Sequence, residues 1–292
     1  MGDFANLPLL VTGASGHIGR LAVEELLARG ATKIIAGTRD PAKLADLASR
    51  GVEVRKIDFD DIDLASALSG VERMLIVSTD AIGRRAQQQQ AAIAAAKAAG
   101  VKHIVYTSAP AARPDADAGL NPEHYWTEVA IAASGLDFTI LRNHMYAENN
   151  LMDLPQAVAS GQLFGLIGDH GTSYVTRADA ARAAAGALLS AEGKSVEDVT
   201  GPAPVTNVER AALATELTGK PIAVIPLTPA DLTGGLVAAG IPQGFAAALV
   251  AFQRDAVSGF HGVVTDVVER YSGRKPETLA DFLKASKAAL LG

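Results

Sequence analysis

LPLLVTGASGHIGR, residues 7–20, decides how the rest of the chain is read. A short apolar run (Leu7, Leu9, Leu10, Val11) meets Thr12. Glycines follow at Gly13, Gly16 and Gly19 before the pattern turns helical, so the stretch reads as strand, tight turn and helix start. Such a turn suits a pyrophosphate: glycines let backbone approach the ligand, and the free N–H groups and positive dipole end of the helix face its charge. The spacing is GxxGxxG, not the GxGxxG of the ordinary dinucleotide fingerprint. Its position at the head of a βαβ unit separates it from a purely structural turn.

Outward from this turn, Leu21, Val23, Leu26 and Leu27 fall on one helical face that Arg29-Gly30 closes. Residues 33–38 (KIIAGT) form the second strand, which ends on Arg39. Asp40-Pro41 then starts a short helix carrying Leu44, Leu47 and Ala48. In a dinucleotide fold the residue closing this strand meets the adenosine ribose: a carboxylate bonds the 2′-hydroxyl of NAD, an arginine accommodates the 2′-phosphate of NADP. Arg39, 26 positions after Gly13, points to NADP(H), with Asp40 beside it as the residue that would serve NAD instead.

Residues 52–57 form the third strand, and Asp58 and Phe59 at its end are placed to flank adenine. After a short helix at 64–68, the nearly all-apolar strand 73–77 leads to Ser78, Thr79 and Asp80, polar residues where open α/β sheets bind ligands. An Ala- and Gln-rich helix covers 84–99 and stops at Gly100, with Gln87 to Gln90 read as its solvated surface. The fifth strand, 103–107, ends in Ser108. A Pro- and Asp-rich loop at 109–120 is placed to border the site. Asn121-Pro122 then caps a helix reaching about Ser134 and closed by Gly135. The sixth strand, 137–141, closes on Arg142, Asn143 and His144. Six strands alternating with helices imply an α/β fold, a Rossmann-type doubly wound parallel sheet.

Beyond about residue 148 this regularity breaks. Helices are expected at 178–189 and at 205–219 (capped by Thr206 or Asn207), a strand at 222–226, interrupted amphipathic pieces at 229–262, and a last helix at 275–291 beginning at Pro276. Residues 1–150 therefore read as an NAD(P)-binding domain and 151–292 as a smaller, α-rich substrate lobe, with part of 170–205 returning to the first domain.

The 292 residues carry a net charge of −6 without a basic block, which argues against a nucleic-acid partner. There is no cysteine, hence no disulfide, thiolate zinc site or cysteine nucleophile, and the six histidines show no helical ligand spacing, so no metal is expected. Nothing reads as a signal peptide or membrane span, and the expected location is cytoplasmic.

The order of signatures resembles the NmrA-like, atypical short-chain dehydrogenases, and most of all the bacterial type-2 NADPH:quinone oxidoreductases and triphenylmethane reductase. The stretches that carry the resemblance are VTGASGHIG (11–19), TRDPAKL (38–44), AAKAAGVKHIVYTS (95–108), GLDFTILRNHMYAEN (135–149), TRADAARAAA (176–185) and ELTGK (216–220). It implies NADP(H) in a Rossmann-type domain with the C-terminal lobe closing a cleft over the nicotinamide. By position, Gly13, Ser15, Gly16, His17, Ile18 and Gly19 would hold the pyrophosphate and Arg39 the 2′-phosphate. Asp58 and Phe59 would meet adenine, and Val77, Ser78 and Thr79 the middle of the cofactor. Ser108, Asn143, His144 and Tyr146 would surround the nicotinamide. A small-molecule substrate is implied, and a homodimer would follow the habit of related reductases.

Ordinary short-chain dehydrogenases carry YxxxK on the helix after the fifth strand. Here Tyr125 fits the tyrosine, but the fourth residue on is Val129. A tyrosine near its usual pKa of about 10 is a poor base at neutral pH, though able to donate a proton. Reduction of a quinone or similar conjugated electrophile fits better, because a hydride adds to it with little acid help. Tyr125, Asn143 and His144 are the catalytic candidates, and His124, Trp126 and Met145 the substrate contacts. His261 and Phe260 lie in a glycine-flanked turn near the expected cleft, and Asp179 caps its helix or pairs with Arg177. Two other readings share the same cofactor site: an NADP(H)-sensing NmrA-type regulator that turns nothing over, and a carbonyl or imine reductase.

Overall fold

The computed structural model describes residues 3–115 and 120–292, so the part of the 109–120 loop at 116–119 lies outside the described residues. Among the described residues there are nine strands: β1 (Leu9–Val11), β2 (Ile34–Thr38), β3 (Glu53–Lys56), β4 (Arg73–Ile76), β5 (His103–Ser108), β6 (Asp137–Asn143), β7 (Gln162–Gly165), β8 (Lys194–Val199) and β9 (Ala223–Pro226). Seven of them form one parallel sheet in the order β3-β2-β1-β4-β5-β6-β8, with Leu9 in register with both Ile34 and Arg73. The order reverses between β1 and β4, so the crevice outside their carboxyl ends is where a doubly wound sheet binds its ligand.

Both sheet faces are covered, which is why β1, β2 and β4 are buried throughout. Leu9 and Val11 face the helices His17–Ala28 and Arg177–Ser190, while Leu10 faces the side built by Arg85–Ala99 and Asn121–Ala133. Arg73 is buried and donates to the carbonyls of Leu188 (2.7 Å) and Ala191 (2.7 Å), closing the C-terminal end of the Arg177–Ser190 helix against β4.

Two features depart from the sequence reading. β8 adds a seventh strand; its sequence, KSVEDV, is a half-exposed edge carrying three charges, so no apolar run announces it. The last helix is two short ones, Leu279–Ala285 and Lys287–Leu291, and the first is capped by the Thr278 hydroxyl three residues beyond Lys275 rather than begun at Pro276. A separate core lies around Leu154, Leu163, Ala211, Ala214 and Leu283, and β7 and β9 form a separate parallel pair. The helix Asn207–Thr218 starts with a capping box between Thr206 and Glu209. Among the described residues no helix is long and apolar enough to cross a membrane.

Candidate active site

A cleft of about 500 Å3 opens at the carboxyl ends of β1, β2 and β4. The glycine turn forms its floor. Gly13 adopts φ +60°, a conformation that suits glycine, and a Cβ on Gly19 would stand 2.3 Å from the Gly13 carbonyl oxygen, so the helix can begin this close to the turn only without a side chain there. His17, Ile18 and Gly19 form the first turn of the helix, where backbone N–H groups have no intrahelical partner, and all three line the cleft. Ser15 and Gly16 complete that wall. These residues fit a pyrophosphate: open donors, a positive dipole end and no side chain in the way.

At the far end of the same wall, the Ser15 and Thr38 hydroxyls lie 3.0 Å apart, and Thr38 Oγ1 also accepts from the Asp40 N–H (3.3 Å). Arg39 lines the cleft and is exposed. The Asp40 carboxylate instead accepts from the Ala42 N–H (3.2 Å), capping the turn Pro41–Leu44. Of the two side chains weighed for the ribose, the arginine faces the cleft and the aspartate is engaged elsewhere. Asp58 and Phe59 line the opposite wall, with Phe59 anchored in the core.

Val77, Ser78 and Thr79 form the middle of the cleft, and side chains behind them fix their backbone. Thr12 Oγ1 accepts from the Val77 N–H (3.1 Å), Thr107 Oγ1 from the Ser78 N–H (2.9 Å) and Gln89 Oε1 from the Thr79 N–H (3.2 Å). Gln88 Oε1 accepts from the Thr79 hydroxyl (3.1 Å), and Arg85 Nε donates to the Thr79 carbonyl (2.6 Å). Gln89 is fully buried and donates onward to Thr127 Oγ1 (2.8 Å) and Tyr106 Oη (3.2 Å). The glutamine run is therefore only partly a solvated surface: Gln87 and Gln90 are exposed, Gln88 is half-buried, and Gln89 supports the cleft from behind.

This network also claims His124, expected to touch substrate. His124 is buried and away from the cleft wall, with Nε2 2.9 Å from Arg85 and Nδ1 2.9 Å from Tyr106 Oη. A guanidinium only donates, so Nε2 accepts and the ring is the neutral Nδ1–H form. Burial, with Arg85 adding to it, pushes its pKa down to about 3. Both nitrogens are occupied, so the helix Asn121–Ala133 contributes His124 to the support of the cleft rather than to a ligand.

At the end expected to hold the nicotinamide, Tyr146 lines the cleft. The side chains of Ser108, Tyr125, Trp126, Asn143, His144 and Met145 stand outside its wall. Ser108 is buried and donates to Glu128 Oε1 (2.6 Å), a carboxylate also held by two nitrogens of Arg142 (2.9 and 2.6 Å). Asn143 stands directly behind the wall, its Nδ2 donating to Tyr146 Oη (3.1 Å). His144 Nε2 lies 3.2 Å from Asp198 Oδ1, and Met145 Sδ accepts from Asn149 Nδ2 (3.1 Å). Tyr125 packs edge-on against Trp126, which is half exposed, and Val129 at the usual lysine position faces solvent.

The sequence reading missed Arg177 in the wall. Its guanidinium sits 5.1 Å from the centre of the Tyr146 ring and donates to Asn149 Oδ1 (3.0 Å), while its N–H is held by Glu148 (2.9 Å). The signal was present as two of the quoted stretches, 135–149 and 176–185, but nothing in sequence spacing says that they touch. Asp179 pairs with Arg182 instead of Arg177, and the helix cap is Thr176, whose hydroxyl accepts from the Asp179 N–H (3.0 Å). Asn121 is likewise no cap; its Nδ2 donates to Asp255 Oδ2 (3.2 Å), and Leu120 occupies the cap position.

Residues 13–191 match the NAD(P)H-binding family. The chain is 39% identical to quinone oxidoreductase 2 of Escherichia coli over 94% of its own length and 96% of that protein. It is 29% identical to the NAD(P)H azoreductase of Xenophilus azovorans over 96% and 98% of the two chains. The crystal structure of the Escherichia coli NADPH-dependent quinone oxidoreductase 2 in complex with NADPH superposes with a TM-score of 0.89, at 36% identity, covering 97% of this chain and 100% of that one. The triphenylmethane reductase of Citrobacter sp. superposes with a TM-score of 0.85 at 29% identity, covering 97% and 100%. The chain belongs to the NAD(P)H-binding family.

Proposed function

We propose that this protein is an NADPH-dependent oxidoreductase that passes a hydride directly to a quinone or a similarly conjugated electrophile. The observation that carries the reading is similarity along nearly the whole chain to a quinone oxidoreductase, together with a cleft lined at its ribose end by Arg39 while the Asp40 carboxylate caps the next turn. The azoreductase and the dye reductase among the relatives also act, by their names, on conjugated electron acceptors.

When bound, NADPH supplies the hydride from its nicotinamide. The N–H groups of His17, Ile18 and Gly19 hold the pyrophosphate, Arg39 the 2′-phosphate, and Asp58 and Phe59 the adenine. The braced backbone of Val77 to Thr79 fixes the middle, and Tyr146, held by Asn143 and Arg177, sets the nicotinamide end. Residues 1–150, with the returning part of 170–205, form the cofactor domain, and the remainder of 151–292 closes over the acceptor. With Val129 where a lysine would stand, Tyr125 lacks the partner that would make it a base, so the protein's contribution is orientation and exclusion of water. Tyr125, Trp126, Met145 and His144 remain the candidate contacts to the acceptor.

NADPH and NADH oxidation would be followed at 340 nm with a benzoquinone, a naphthoquinone, a triphenylmethane dye and a simple ketone. Turnover of quinone or dye, faster with NADPH, is expected. Turnover of the ketone alone, or NADPH binding with no acceptor reduced, overturns the proposal in favour of a carbonyl reductase or a cofactor-sensing regulator.

A further inference from the structure

Five buried side-chain atoms without a hydrogen-bond partner among the described residues fall on four residues at one place: Asn143 Oδ1, His144 Nδ1, Ser173 Oγ, and both ring nitrogens of His261. His144 and His261 lie with ring centres 6.1 Å apart, the Ser173 N–H donates to the His261 carbonyl (2.9 Å), and Asn143 precedes His144 at the end of β6. All four are at most 5% exposed. Buried polar atoms in native proteins are paired with protein, water or ligand, and a fully buried imidazole with neither nitrogen engaged is rare.

The group adjoins the cleft. Asn143 bonds Tyr146, which lines the wall, so His144 and His261 lie one layer beyond the nicotinamide end. His261 arrives from the turn after the helix Gln243–Val257, so both halves of the chain contribute. Phe252 of that helix lies 6.0 Å from the His261 ring and supplies an apolar aromatic neighbour.

The hydrogen-bonding character of each atom follows from its surroundings. His144 Nε2 faces the Asp198 carboxylate (3.2 Å), leaving Nδ1 as the ring nitrogen without a partner among the described residues. Burial, with His144 beside it, pushes the pKa of His261 down to about 4, so near neutral pH that ring offers one donor and one acceptor. Ser173 can do either. The cluster thus presents donors for a carbonyl oxygen and an acceptor for a hydroxyl.

We infer that His261, with Ser173 and His144, forms the oxygen-binding end of the acceptor pocket. The carbonyl oxygen of a quinone accepts from His261 N–H or Ser173 O–H, and the hydroxyl of the hydroquinone product donates to His144 Nδ1. The inference rests on the reductase reading. In the reaction the nicotinamide C–H bond breaks, its hydrogen and electron pair pass to the quinone, and one proton from water completes the hydroquinone. The two imidazoles end the turnover as they began it. A cationic triarylmethane dye takes up hydride without needing a proton and has no carbonyl to bind.

The test compares His261→Phe, which keeps an aromatic ring beside Phe252 but removes both nitrogens, with His261→Gln, which restores a donor and an acceptor. KM for a naphthoquinone is expected to rise about tenfold in the phenylalanine variant, the scale of one lost hydrogen bond, and to recover most of the way in the glutamine variant. The Kd for NADPH is expected to stay within about twofold, because neither atom pair belongs to the cofactor wall. Unchanged KM, or a parallel loss of NADPH affinity, overturns the inference. An independent readout on the unmodified protein with NADP+ bound is the 15N shift of the His261 and His144 rings on adding the hydroquinone. Movement of both supports the assignment, and its absence overturns it even where a variant fails to fold. Wild-type protein that reduces no quinone at all would instead overturn the reductase reading.

Discussion

Arg39 is the residue on which we propose that cofactor choice turns. It is exposed, lies on the cleft wall and forms no ion pair among the described residues, while the neighbouring carboxylate is spent on capping a turn. A guanidinium so placed gains charge-assisted bonds only from a ligand with a phosphate on the ribose. Arg39→Ala is expected to weaken NADPH by about 1.5–3 kcal/mol while leaving NADH nearly unchanged, measured by fluorescence titration of both cofactors. Equal losses would mean that the arginine acts on both through general charge. Tyr125 permits a second test at this scale. Its hydroxyl has no partner among the described residues and its lysine is replaced by an exposed valine, so Tyr125→Phe is expected to keep quinone turnover within about tenfold of wild type. A loss of several orders of magnitude with NADPH binding intact would make Tyr125 an essential acid.

Among the elements, the helix Arg85–Ala99 does more than cover the sheet. Gln89, itself fully buried, ties the Thr79 N–H, the Tyr106 hydroxyl and Thr127 together, so Gln89→Leu keeps the volume and leaves a part-buried amide hydrogen without an acceptor. A loss of about 1–3 kcal/mol in unfolding free energy is expected, together with weaker NADPH binding as the Val77–Thr79 backbone loosens. Urea denaturation and cofactor titration of the variant check the two effects; intact stability with intact binding would show that the loop holds itself. The same helix marks how far sequence reading reaches. The glycine turn, β1 to β6 and the place of Arg39 on the cleft wall were legible because each is a local pattern: an apolar run, a turn residue, a residue at a strand end. Gln89, His124 and Arg177 were not, since their roles depend on neighbours 10, 39 and 31 positions away that periodicity does not pair. β8 escaped because an edge strand needs to bury little. The split of the final segment into two helices follows from Thr278 being a better cap than Pro276 is a start.

Taken as a whole, the molecule holds three histidines with lowered pKa values in places far apart in the fold. His103 sits in β5 beside Arg73 and bonds Thr139 (3.0 Å), His124 braces the cleft, and His261 follows the helix Gln243–Val257. Burial pushes their pKa values down to about 3, 3 and 4, with Arg73, Arg85 and His144 adding to the effect respectively. Unfolded, each would titrate near 6.5. Above that pH neither state binds the proton and stability is flat. Below it the unfolded chain takes up protons that the native rings refuse, so unfolding free energy falls with pH by about 1.4 kcal/mol per unit for each histidine, until the native pKa is reached. At pH 5 the loss is about 2 kcal/mol per ring. Glu209, whose pKa is held down by the Thr206 backbone N–H and hydroxyl, pulls in the same direction once the pH falls through its own range. The urea midpoint is therefore expected to drop steeply between pH 7 and pH 5. His124→Gln, which still offers a donor and an acceptor to Tyr106 and Arg85, is expected to remove about a third of that slope whatever it does to stability at pH 7. A midpoint that stays level across this range would mean that the three rings take up protons in the native state, and with them that water reaches both the brace behind the cleft and the His261 cluster.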